Sequence, residues 1–327
     1  MPLRALAFLL ALPLCVTNAQ SKGVVHTDTL WAQSLGVRKA LTVYLPPSYG
    51  SSPTQRYPVL VYLHGITGNE RNWVDVGRID RVLDSLFAAG KPEAIVVMPD
   101  GDDGWYTTWN SLADMAACRA DSLRKEPAAT FCVPWQHYDD YIAHDIVSHV
   151  DKKYRTIRDS KHRGIGGLSM GGYGAVSIAL SYPQLFGAAA SHSGVLSPRF
   201  AGPIPFAAPA RYAETNAQLR ALPYNMWKWL AVPFGSDTIG WVSRDPAHMA
   251  QRVLTNATKS GVTMPRLHID CGTEDVYVNQ NRDLHAALQR LGIPHEYRES
   301  SGAHTWSYWT GHVGEGLGFL LTGMGPR

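Results

Sequence analysis

Gly167-Leu168-Ser169-Met170-Gly171, followed by Gly172, places a serine between glycines at minus two and plus two. That spacing suits a sharp strand-to-helix turn, where the serine takes strained dihedrals and bulk beside it would clash. The chemistry this offers is nucleophilic. A serine hydroxyl attacks poorly until a base takes its proton, and the base needs an acid to orient it. His304, in Ser301-Gly302-Ala303-His304-Thr305-Trp306, sits in a turn-like stretch just after the last strand-like run. Asp275, in Cys271-Gly272-Thr273-Glu274-Asp275, follows the preceding run. The chain order Ser, Asp, His is that of a serine elbow at the edge of a parallel sheet. Glu274 is a rival acid, while Asp270 falls inside a strand-like run. His285 and His295 lie in helix-like and strand-like runs, and His192 ends an earlier strand, so His304 has the better position for a base.

Acyl transfer also needs donors for the oxyanion. The N–H of Met170, directly after the nucleophile, is one candidate. The second is the N–H of Ile66, in the glycine-bearing loop His64-Gly65-Ile66-Thr67-Gly68. His64, Trp105, Tyr106 and Trp306 follow strand ends and are the candidates for lining a substrate cleft, with plain loop packing as the competing reading. Asp100-Gly101-Asp102-Asp103-Gly104 has the composition of a calcium loop but not its spacing, and reads as a solvated strand-end loop. His144 and His149 are five apart on one helix, so with His137 they make no zinc site, and no metal or organic cofactor is expected. Asn256-Ala257-Thr258 is a glycosylation sequon.

These residues require elements to hold them. Lys39–Leu45 alternates with period two. Pro58–Leu63 and Ala94–Pro99 are near-continuous apolar runs, as in strands buried on both faces. Tyr138, Tyr141, Ile142, Ile146 and Val150 recur at helical spacing, which predicts an amphipathic helix over 136–154. A short strand at 163–166 leads into the serine turn, and a helix over 172–182 follows it. Further strands are predicted at 186–191, 265–271 and 295–299, with a helix over 279–291. Strand and helix alternate, so the fold class is α/β, a mostly parallel sheet with helices on both faces, with chemistry at the carboxyl ends of the strands. Residues 199–235 break the rhythm and read as an insertion over the sheet. Trp227 and Trp229 within it have no assigned role.

Residues 1–19 read as a signal peptide: Arg4, an apolar run from Ala5 to Val16, and a small residue at Ala19 before the cut. Residues 20–327 then form one domain, secreted or periplasmic. Export permits disulfides, and Cys118–Cys132 would close a loop of about 15 residues. Cys271 reads as a packed free thiol. The balance of 30 basic against 27 acidic residues gives +3, with charged residues at 17% and hydrophobic at 45%. That excludes a mainly disordered chain and gives no argument for nucleic acid. After the leader no apolar run is long enough to span a bilayer.

Taken together, the motifs resemble the esterase D-type family of α/β-hydrolases, which includes S-formylglutathione hydrolases, feruloyl-type carbohydrate esterases and antigen 85 mycolyltransferases. The resemblance runs from about residue 38 to about residue 315. It rests on Tyr62-Leu63-His64-Gly65 with Asn69 and Trp73, and on Met98-Pro99-Asp100-Gly101 through Trp105-Tyr106. It rests further on Gly167–Gly172, Phe234-Gly235 with Asp245-Pro246, Cys271–Asp275 with Asn281-Arg282, and Gly302–Trp306 with Trp309. It implies Ser169, Asp275 and His304 as a triad, Ile66 and Met170 as oxyanion donors, and Asp275 over Glu274. The segment bounded by Cys118 and Cys132 is a departure, near the cleft in that family. The leader argues against a cytosolic role. The expectation is a serine esterase acting on small or carbohydrate esters. An acyltransferase passing the acyl group to a sugar or lipid hydroxyl, or a thioesterase, is the alternative. A non-catalytic protein would lack a triad member.

Overall fold

The computed structural model describes residues 22–112, 114–120 and 127–325. The expected leader, residues 1–19, lies outside them. An eight-stranded sheet forms the centre. Its strands are β1 (Val24–Ala32), β2 (Val37–Leu45), β3 (Val59–Leu63), β4 (Ile95–Pro99), β5 (Arg163–Leu168) and β6 (Ala188–His192). A small separate hairpin, β7 (Phe200–Gly202) and β8 (Arg211–Tyr212), comes next, and β9 (Arg266–Gly272) and β10 (His295–Ser300) complete the sheet. The order is β1-β2-β4-β3-β5-β6-β9-β10. Within this sheet β1–β2 and β2–β4 are antiparallel, and the remaining pairs, β4-β3-β5-β6-β9-β10, are parallel. This is the α/β-hydrolase arrangement expected.

The apolar runs explain the centre. Every residue of β3, β4, β5 and β6 is buried, because helices cover both faces. One face packs on the helical stretch 138–153 and on Met170–Ser181; the other packs on Ile79–Ala88 and Trp306–Leu321. The stretch 138–153 is the helix predicted over 136–154, with a π-helical segment at Tyr141–Ile146. Strand β5 is glycine-rich because its neighbours come close: a Cβ on Gly166 would sit 2.5 Å from the Tyr62 ring.

Strand β1 was not anticipated. Its inward positions include Asp28 as well as Leu30 and Ala32, which breaks the apolar alternation. The closing helix Trp306–Leu321 carries Gly311, Gly314, Gly316 and Gly318, a poor helical composition on propensity alone. One of these glycines has a packing reason. A Cβ on Gly316 would lie 2.7 Å from the His192 ring.

In the stretch 199–235, the hairpin and the helix Met226–Phe234 pack inward. Phe234 meets Trp105 and Tyr173. Trp227 stacks on Trp241 at 6.1 Å, and Trp229 is half-buried against the core. Cys118 and Cys132 are disulfide-bonded with Cα atoms 5.8 Å apart, and Cys271 is free and buried.

Candidate active site

Strand β5 ends at Leu168, and the helix Met170–Ser181 begins two residues later. Ser169 makes the turn alone, at φ 53° and ψ −115°. Such a backbone is costly for a non-glycine residue and persists only when its surroundings hold it. Here the hold is visible. The Ser169 N–H donates to His192 O at 2.9 Å, and Tyr173 N–H donates to Ser169 O at 3.0 Å. The flanking glycines are needed for contact: a Cβ on Gly167 would lie 2.5 Å from Gly171 O, and one on Gly171 would lie 2.5 Å from His64 O.

Asp275 and His304 follow the last two parallel strands of the sheet, β9 and β10. The two loops close on each other because both carry glycine. Gly302 sits at φ 145°, and a Cβ on Gly272 would overlap the Gly302 carbonyl. The result brings three distant side chains together. His304 Nε2 lies 2.9 Å from Ser169 Oγ. His304 Nδ1 lies 2.8 Å from Asp275 Oδ2 and 3.1 Å from Oδ1. The Asp275 carboxylate is fully buried and also accepts the Tyr277 N–H at 2.8 Å. The rival acid points elsewhere: Glu274 is exposed, and its carboxylate accepts from the Gly302 N–H and the Thr273 hydroxyl. Of the rival histidines, His192 is sealed between Asp270 and Tyr62, and His285 bonds His295.

The imidazole of His304 packs edge-on against Tyr277 at 5.0 Å and Trp309 at 4.9 Å. Tyr224 adds a second ring beyond Tyr277, at 6.1 Å, from a left-handed pair with Asn225 at φ 60° and 56°. Tyr224 and Tyr277 carry no local sequence signal for this role, because only the fold brings them to His304. Trp306 is half-buried, against Trp73 at 5.5 Å and Trp309 at 5.4 Å.

The two candidate donors belong to segments that meet at the serine: a Cβ on Gly65, next to Ile66, would lie 3.5 Å from Ser169 Cβ. Met170 is the first residue of its helix, so its N–H has no intrahelical acceptor, and the positive helix end lies there. Ile66 sits in the loop after β3 and makes no backbone hydrogen bond through its N–H among the described residues.

Three cleft candidates are corrected. His64, Trp105 and Tyr106 are 1%, 4% and 1% exposed. Trp105 and Tyr106 both have left-handed backbone, φ 56° and 49°, which turns the loop back onto the core. Trp105 packs on Tyr173, and the Tyr106 hydroxyl donates to His64 O at 3.2 Å. The loop at 100–104 is likewise not the solvated turn expected. Lys39, fully buried, donates to Asp100 at 3.0 Å and to Asp102 at 2.6 Å. Tyr138 also donates to Asp102, at 2.9 Å. Burial pushes the Asp102 carboxyl up to about 6, against the pull of Lys39. The signal was present in the sequence: Lys39 shares the inward parity of Val37, Leu41 and Val43 on β2.

The chain is similar to known esterases. The family model Esterase, described as "Putative esterase", matches residues 32–320. An acetyl esterase of Caldicellulosiruptor saccharolyticus is 25% identical over 261 residues, covering 80% of this chain and 82% of that one. An endo-1,4-beta-xylanase/feruloyl esterase of Xylanibacter ruminicola is 29% identical over 168 residues, half of this chain but 21% of its own length. Among solved structures, a ferulic acid esterase superposes with TM-score 0.66 at 25% identity, over 92% of this chain and 98% of that one. An S-formylglutathione hydrolase from Agrobacterium tumefaciens shares the fold, with TM-score 0.66 at 19% identity over 94% of this chain and 98% of its own. The chain belongs to the Esterase family and is a serine esterase on an α/β-hydrolase fold.

Proposed function

We propose that the protein hydrolyses carboxylic esters through an acyl-enzyme on Ser169. The observation that carries this is the line of contacts from Asp275 through His304 to Ser169, at 2.8 and 2.9 Å. His304 takes the hydroxyl proton as Oγ attacks the ester carbonyl. The tetrahedral oxyanion is received by the N–H groups of Ile66 and Met170. The imidazolium, held by buried Asp275, protonates the leaving alcohol. Water then enters and attacks the acyl carbonyl as His304 takes its proton; His304 returns that proton to Ser169 Oγ as the acyl–oxygen bond breaks and the acyl group leaves as the acid.

Substrate class follows from what surrounds His304. Tyr277, Tyr224 and Trp306 offer ring faces and edges, which suit an aromatic acyl group or the face of a sugar. The acetyl esterase and feruloyl esterase names of the similar proteins support small and aromatic acyl groups on carbohydrate alcohols. Secretion or periplasmic location is part of the proposal, supported by the leader-like N-terminus and by a bridge that needs an oxidising compartment. The test is turnover of p-nitrophenyl acetate and methyl ferulate by wild type and Ser169→Ala. Loss of at least a thousandfold in the variant is expected. Wild-type turnover by the variant sinks the proposal.

A further inference from the structure

The N–H of Ile66 can serve an oxyanion only if the Gly65–Ile66 peptide faces the right way. That peptide is not one of the cis bonds of the described chain. In a trans peptide the C=O and the following N–H point in opposite directions. Whatever holds Gly65 O therefore also aims the Ile66 N–H. Two donors hold it. Gly68 N–H reaches Gly65 O at 3.1 Å, and the Nδ1 of His64 lies 2.7 Å from the same oxygen.

For His64 to donate there, Nδ1 must carry the proton. The other ring nitrogen settles this. Gly101 N–H approaches His64 Nε2 at 2.9 Å, and a backbone amide can only donate. Nε2 is therefore the acceptor and Nδ1–H the donor. Asp100 Oδ1 stands 3.7 Å from Nε2, beyond hydrogen-bond reach, so no proton is shared with it. Gly101 is itself fixed, because buried Lys39 grips the residues on both sides of it, Asp100 and Asp102. A further tie acts beyond Ile66: Thr67, at φ 61°, donates its N–H to Asp103 at 2.6 Å.

We infer that His64 is a positioning residue, whose neutral Nδ1–H tautomer locks the Gly65–Ile66 peptide so that the Ile66 N–H faces the oxyanion, with Lys39 clamping the far end through Gly101. His64 touches no substrate in this arrangement, since it is buried beneath the loop it orients. The inference rests on the esterase chemistry proposed at Ser169.

The test uses three substitutions. His64→Asn keeps a side-chain N–H on the same γ-carbon branch as Nδ1 and loses Nε2. His64→Gln keeps an acceptor near Nε2 and loses the Nδ1 donor. His64→Ala loses both. Removing an oxyanion donor outright costs about 10²–10³ in kcat. His64→Ala and His64→Gln are expected to lose about 30-fold or more in kcat with KM within about threefold, while His64→Asn stays within about fivefold of wild type. The second readout is inhibition by an aryl trifluoromethyl ketone, which forms a tetrahedral adduct on the serine. Its Ki should weaken in step with kcat/KM across the series, as a mimic of the transition state does. If His64→Ala fails to fold, the Asn and Gln pair carries the same comparison. The inference is overturned by wild-type kcat in His64→Gln, by equal losses in Asn and Gln variants, or by a kcat loss with unchanged ketone Ki. Ser169→Ala separates the two levels: if it retains turnover the esterase reading itself fails, and if it is inactive while the His64 series is flat only the positioning role fails.

Discussion

The Nδ1 of His304 meets both carboxylate oxygens of Asp275, at 2.8 and 3.1 Å, on a side chain that no solvent reaches. A buried carboxylate in that place keeps the proton on Nδ1 and leaves Nε2 as the base toward Ser169. Asp275→Asn reverses the demand, because its amide can present an N–H to Nδ1. About 10³–10⁴ in kcat should be lost. Glu274→Gln, one residue away but turned to the Gly302 N–H, should stay within about fivefold. Steady-state kinetics on p-nitrophenyl acetate decide it. Comparable losses in both variants would remove Asp275 from its assigned role.

Tyr224 stands beside the site on Tyr277, in ring contact with it at 6.1 Å. A ring pair of this kind is worth about 1 kcal/mol to its two members, so loss of Tyr224 leaves Tyr277 less firmly held against a bound aromatic group. Tyr224→Ala should therefore raise KM for methyl ferulate by about fivefold and leave p-nitrophenyl acetate within about twofold. Equal changes for the two esters would show that Tyr224 is only structural support.

The Cys118–Cys132 bridge closes a loop with a sequence separation of 14. In the chain-entropy picture such a loop is worth up to about 3 kcal/mol. For a domain of this size that corresponds to a melting shift of a few degrees, about 4 °C. Dithiothreitol should lower the Tm of wild type by that amount and leave the Cys118→Ala/Cys132→Ala double variant unmoved. Cys271 is buried and does not confuse the readout.

Asp28 couples stability to pH. Burial alone would raise its carboxyl. Lys153 at 2.5 Å, His149 at 2.8 Å, the Thr29 N–H at 2.8 Å and Tyr154 at 2.9 Å outweigh it and hold the group below the usual carboxylate range. A carboxyl depressed on folding stabilises above its unfolded pKa of about 3.9, and that stabilisation fades as pH falls through the folded value. Lys153 is half exposed, so screening keeps the contribution near 1 kcal/mol. Asp28→Asn should be less stable than wild type at pH 7 by about that amount, with the gap closing below about pH 4. Chemical denaturation at pH 7, 5 and 3.5 measures it. A gap independent of pH would mean that packing and not charge is responsible.

Much of the fold was legible because the central strands are apolar throughout and their flanking turns are marked by glycine and proline. The three candidate catalytic side chains were legible for a related reason: each lies within four residues of a strand end, so local pattern and chain order locate it. Strand β1 was hidden by Asp28, an inward polar residue whose partners lie on a helix more than a hundred residues away. The closing helix was hidden by its glycines, one of which exists to admit His192. His64, Trp105 and Tyr106 were placed one layer too far out. Their neighbours in sequence say that they follow strands, but only the left-handed turns at Trp105 and Tyr106 show which way the loop folds.

Ser169 and His304 are separated by 135 residues, and their strands, β5 and β10, by two others in the sheet. Nothing local can bring them into contact. The pair can meet only where β6 and β9 lie between their strands. Turnover is therefore a readout of long-range assembly: a chain with β5 formed but β9 and β10 unpaired has its serine turn and no base beside it. Regain of esterase activity during refolding reports pairing of this half of the sheet, from β5 to β10, which spectroscopic recovery of secondary structure alone does not.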